Sequence, residues 1–171
     1  MKALVVTLLA SLVFALSAFA TPRLEIGEGA AVGSPASIFV GYGQAKTDPA
    51  PSRIVIAVPS AYAFTPHADG ATPGTWIGTD VVQLNPQIGP NLATGLLTME
   101  NPAAFGAEAL VCTRRAGHDA VWAAHIGSAS GVIAIPIFVD RRTFTICPDA
   151  AKLGGTPTAL SLQLGLVGNS V

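Results

Sequence analysis

The sequence predicts an all-β fold, an antiparallel β-sandwich of about eight or nine strands in one exported domain behind a cleaved signal peptide. Three observations predict it. Short β-branched and aromatic runs recur between turn signals spaced about a dozen residues apart. Thirteen prolines and eighteen glycines interrupt the chain wherever a helix would start, and nothing after residue 20 carries a convincing amphipathic helical period. The third is a pair of cysteines in a chain that opens with an export leader. Outside the cytosol such a pair forms a disulfide, here Cys112 to Cys147.

Residues 1–20 read as the leader. Lys2 precedes an unbroken apolar and small-residue run over 3–20, and Ala18-Phe19-Ala20 forms a small-x-small cleavage site. The run is shorter than the roughly 20 residues a spanning helix needs, and Thr21-Pro22 follows at once. No cysteine stands just past the site to carry a lipid. The expected division is a signal peptide over 1–20 and a secreted domain over 21–171, with no membrane insertion after cleavage. Losing Lys2 leaves eight basic against ten acidic residues. That balance has no electrostatic footprint for nucleic acid or an anionic membrane.

The strands follow in order. Leu24 and Ile26 share a face of a short strand at 23–27. A glycine- and alanine-rich loop leads to 36–42, where Ile38, Phe39 and Val40 make a strand stopped by Gly41 and Gly43. Pro49 and Pro51 hold a loop. Residues 53–59 are apolar on both faces, which predicts a central strand. A proline- and glycine-rich connection spans 62–74, and 75–84 is a strand interrupted at Gly78. A loop over 85–91 leads to a strand at 95–100, a single helical turn fits 103–109, and Leu110-Val111-Cys112-Thr113 reads as a further strand.

Between the cysteines lies a three-strand meander. In 119–126 Trp122, Ala124 and Ile126 form the core face, with Val121, Ala123 and His125 opposite. Residues 132–139 carry an apolar stripe of Ile133, Ile135, Ile137 and Val139, and Pro136 marks an edge or bulge because it lacks an N–H. Asp140-Arg141-Arg142 turns into 143–147, and the last strand, 158–167, alternates Leu160, Leu162, Leu164 and Leu166 with a wet face.

Cys112, Trp122 and Cys147 stand in the order of the immunoglobulin sandwich, where a tryptophan packs near an inter-sheet disulfide, and the domain resembles an immunoglobulin-like sandwich. The cysteine spacing is shorter than in antibody domains, and Thr145 stands where a corner tyrosine would. The phrases at 74–79, 118–122, 135–140 and 146–148 resemble those of uncharacterised secreted bacterial β-sandwich proteins. That resemblance implies fold and location and brings no catalytic residues.

Candidate chemistry is sparse. His67 and Asp69 are two residues apart in a loop, short of the ligands a metal needs. His118 beside Asp119 has the composition of a general base, but neighbours on a strand face opposite ways. His125 lies opposite Trp122. Ser128 and Ser130 flank Ala129, so the loop lacks the order of a nucleophile elbow. Among Glu25, Glu28, Glu100 and Glu108 nothing singles out a catalytic carboxylate pair. Trp76 is a possible ligand platform, and Arg114-Arg115 with Arg141-Arg142 could join in one basic patch.

The expected function is a secreted or envelope-associated, non-enzymatic interaction module with no cofactor or metal. Its partner would be an extracellular protein or glycan, and not nucleic acid. The alternatives are a small secreted hydrolase built from His118 or His125 and distant carboxylates, or a subunit of a surface assembly that offers the strand at 160–166 or the Pro136 strand as an exchangeable edge.

Overall fold

The computed structural model describes residues 23–26, 38–60, 72–86, 92–128 and 131–164. The leader, its cleavage site, the His67 loop and residue 130 lie outside them. Nine strands occur among the described residues: β1 (Arg23–Ile26), β2 (Ile38–Gly43), β3 (Ile54–Ala57), β4 (Trp76–Pro86), β5 (Leu92–Glu100), β6 (Ala120–Ser128), β7 (Gly131–Asp140), β8 (Thr143–Ile146) and β9 (Gly155–Leu164). A 3-10 turn, Pro102–Phe105, runs into helix α1 (Gly106–Thr113), and a one-turn helix α2 (Ala150–Leu153) precedes β9. The all-β expectation holds.

The strands form one sheet in the order β1-β2-β9-β4-β5-β6-β7-β8-β3, and every neighbouring pair is antiparallel. Strands β4 to β8 are a meander, and β9 returns to lie between β2 and β4. Period-two alternation sends Val40, Val82, Leu97, Trp122, Ile137 and Leu162 to one face, where all are buried in a common core. The rings of Trp122 and Phe144 pack there with centroids 5.2 Å apart. Burying a large side chain of this kind contributes about 2–3 kcal/mol.

That face closes on itself. Ile54 of β3 and Ile146 of β8 line the same small interior cavity as Val82, Leu160 and Leu162 of β4 and β9, from the other side of the strand order. Two glycines allow neighbouring strands to come close. A Cβ at Gly78 would lie 2.1 Å from the Gln163 carbonyl, and one at Gly95 would lie 2.1 Å from the His125 carbonyl. Bare backbone is therefore required at both of these close approaches.

Several expectations need correction. The two layers of the sandwich are one curled sheet. Trp122 belongs to the main core, whereas the Cys112–Cys147 bond packs with Val121 and Phe138 in a separate cluster, so the immunoglobulin pairing of tryptophan and disulfide is not formed. Residues 110–113 are helical. Asn101 caps the 3-10 turn that leads into this helix, accepting from the Ala103 N–H at 3.0 Å, Pro102 opens that turn, and Arg114 closes α1 with φ 61°. β3 is an edge strand and not a central one, with Val55 exposed. β9, expected as an exchangeable edge, is paired on both sides.

β7 is interior, yet Pro136 does mark a local edge. The β8 ladder covers only Ile137 to Asp140 of β7. It ends where Pro136 has no N–H to offer, and Pro148 carries the departing chain.

Candidate functional site

The site begins with α1. Ala109 and Cys112, one helical turn apart, are its buried residues, and they pack on Val121 of β6 and Phe138 of β7. The disulfide from Cys112 to Cys147, just past β8, fixes the helix across the outer face of the sheet, with Cα atoms 5.7 Å apart. Opposite α1, Asp149 caps α2 by accepting from the N–H groups of Ala151 and Lys152 at 3.0 and 3.2 Å, and Gly154 ends it with φ 72°.

Between the two helices and β7 runs a groove of about 530 Å³. Its floor includes Phe138, Pro136 and the disulfide, and its rim carries Glu108, Asp149 and Lys152. Val111, on the α1 wall, is 87% exposed. A concave apolar floor with a few polar rim groups is the usual form of a binding site.

His118 sits at the α1 end of the sheet. Its imidazole is 1% exposed, with Nδ1 2.9 Å from Asp140 Oδ2 and Nε2 3.0 Å from Thr113 Oγ1. The sequence of groups is hydroxyl, imidazole, carboxylate, as in a nucleophile relay. The hydroxyl is already committed, however. It lies 2.8 Å from the Ala109 carbonyl and 3.1 Å from the Arg115 carbonyl, and it accepts the Arg115 N–H at 3.2 Å. These contacts tie the end of α1 to the end of β7. Asp140 also meets Arg115 Nη1 at 3.4 Å. Asp140→Asn is therefore expected to lower unfolding stability by about 1–2 kcal/mol in urea denaturation at neutral pH, through loss of charge-assisted bonds.

His125 forms a second set on the outer face. Its Nε2 is 2.8 Å from Thr98 Oγ1 and 3.2 Å from Glu100 Oε1, while the Thr98 hydroxyl donates to Glu100 Oε1 at 2.6 Å. Here carboxylate and hydroxyl meet the same ring nitrogen, so the geometry is a surface cluster and not a relay.

Asp80 is the least expected group. It is 1% exposed on β4, and among the described residues neither carboxylate oxygen has a hydrogen-bond partner. It pairs with Gly95 on one side and Leu162 on the other, and a Cβ at Gly95 would stand 2.7 Å from Asp80 Oδ1. Burial raises its pKa to about 6, with the nearby His125 charge acting in the opposite direction.

The remaining sequence candidates separate. Trp76 is 45% exposed at the start of β4, its indole N–H donating to the Gly78 carbonyl. It does not line the groove. Glu108 is on the groove rim, while Glu28 and Ser130 lie outside the described residues, as do the side chains of Glu25 and Ser128. The arginine pairs come to one end of the sheet, but acids interleave them. Arg115 reaches Asp140, and the Arg141 N–H donates to Asp119 Oδ2 at 2.6 Å. Arg142 donates to the carbonyls of Val58 and Pro59. Among the described residues no group of three or more His, Cys, Asp or Glu side chains is placed to hold a metal ion, and no helix is long and apolar enough to cross a membrane.

Sequence reasoning missed Thr113, Asp140 and Asp80. Asp80 had a signal, since it shares strand parity with the buried Val82 and Leu84. Compared with known proteins, the chain matches no family model, no curated protein and no solved structure.

Proposed function

We propose that the protein is an exported, non-enzymatic β module that recognises an extracellular partner through the groove between α1, β7 and α2. The observation that carries this reading is the exposed Val111 wall beside an apolar floor that a disulfide holds in place. Export is supported by the leader pattern over 1–20 and by the disulfide, since such bonds persist outside a reducing cytosol. The immunoglobulin-like reading enters only as a similarity of use, a stapled β platform that displays a recognition surface.

One observation favours a second reading, a small hydrolase: the order Thr113, His118, Asp140. Against it stand the enclosed imidazole and the committed hydroxyl. The two readings separate in one experiment with the purified protein. N-phenyl-1-naphthylamine, a neutral apolar dye, is expected to bind the native chain and to bind Val111→Glu at least ten-fold more weakly, with an unchanged circular dichroism spectrum. Equal binding by both proteins contradicts the groove. Ester or peptide turnover that is lost in a folded His118→Ala variant establishes the hydrolase instead.

A further inference from the structure

We infer, resting on the groove reading above and making its partner specific, that the groove takes an extended peptide, which adds as a short strand to the open edge of β7. Four consecutive β7 residues, 133–136, line the groove. Side chains on a strand alternate between faces, so a cavity touched by four in a row runs along the strand's edge and not over one face. β6 pairs with β7 from Gly131 to Val139, whereas β8 covers only Ile137 to Asp140. On the β8 side, no described residue pairs with the stretch before Ile137.

The direction of its backbone groups follows from two hairpins. β6 and β7 close on Ser128 and Gly131, and β7 and β8 close on Asp140 and Thr143, each across a two-residue loop. Such loops close on pairs that exchange both hydrogen bonds, and the pattern alternates from there. Counting from either hairpin gives the same result: odd-numbered residues of β7 bond to β6, and even-numbered residues point the other way. Val132 and Ala134 therefore present N–H and C=O along the open edge, and Pro136 presents a carbonyl alone. Among the described residues no hydrogen bond outside the β6 ladder reaches 132–136. Unpaired edges of this kind are templates for an added strand.

The walls narrow the peptide's chemistry. Exposed Val111 and the partly exposed Ile133 and Pro136 suit alternate apolar side chains. Glu108 and Asp149 on the two sides of the groove outnumber Lys152, which favours a basic residue in the incoming strand. The occupant is an extended segment of about five residues with alternating apolar side chains and one lysine or arginine.

The test uses a synthetic hexapeptide of alternating valine and threonine with one flanking lysine, titrated calorimetrically against the native protein. A second copy carries N-methyl groups at the alternate residues that would face β7. We expect the first to bind, the N-methylated copy to bind at least ten-fold more weakly, and amide exchange at Val132 and Ala134 to slow in the complex. Ala134→Pro, at an exposed position whose N–H the fold does not use, is expected to weaken binding to a similar degree. Equal affinity for the two peptides, or for the native and Ala134→Pro proteins, overturns the inference. If the peptide fails to bind while the dye still binds in a Val111-dependent way, strand addition is wrong and the groove reading stands. If neither binds, both fall.

Discussion

Replacing Cys112 and Cys147 together by serine lowers the unfolding free energy by about 4 kcal/mol. The bond joins positions 35 residues apart in sequence, and cross-linking a loop of that size removes about this much conformational freedom, in free-energy terms, from the unfolded chain. A domain of this length has roughly 5–15 kcal/mol in total, so the loss is a large share. Thermal denaturation of the double variant should show a midpoint lower by about 8–16 °C. A shift under about 2 °C would mean that α1 and the 147–149 segment are held chiefly by packing of Ala109 against Val121 and Phe138.

Asp80→Val stabilises the protein by about 3 kcal/mol at pH 7, and the gain shrinks as the pH falls toward about 4. The sign follows from the direction of the shift. The folded state holds the Asp80 proton up to about pH 6, against 3.8 as the ordinary value, so folding is disfavoured progressively as pH rises from about 4 to about 6. Above that the cost is constant, at about 1.4 kcal/mol per unit of difference. Urea denaturation of the native and Asp80→Val proteins at pH 4, 5, 6 and 7 reads the difference directly. Other carboxylates titrate in both proteins and cancel. A difference that stays flat across the series would mean that the Asp80 carboxylate is solvated.

The strands were legible because burial writes its period into the sequence. The core face of Trp122, Ala124 and Ile126 follows directly from alternation, and the meander at 119–126, 132–139 and 143–147 lies within one or two residues of β6, β7 and β8. Strand order was not legible. β9 lies beside β2 through pairs such as Val40 with Leu162, a contact that no local pattern encodes. Edge position failed for the same reason, since the apolar run in β3 covers the end of the core and does not require two neighbours. Helix α1 was misread in its second half because Leu110, Val111 and Cys112 have the composition of a strand. Docking of Ala109 and Cys112 on Val121 and Phe138 decides the matter.

The site was partly legible. The disulfide followed from the presence of two cysteines behind a leader-like pattern, but the groove that it supports depends on where α1 and α2 come to rest. His118 was noticed beside Asp119, yet its carboxylate is Asp140 on the far side of the β6–β7 hairpin. Adjacency in sequence drew attention to the wrong acid. His125 found Glu100, one of four glutamates that sequence could not tell apart.

The central claim is that a covalent tie between helix and sheet maintains a recognition groove. Titrating the dye against oxidised and reduced protein in the cold, at equal β-sheet circular dichroism, tests it most directly. The predicted result is that reduction releases α1 and weakens binding at least ten-fold while the sheet signal persists. Unchanged affinity after complete reduction would contradict it.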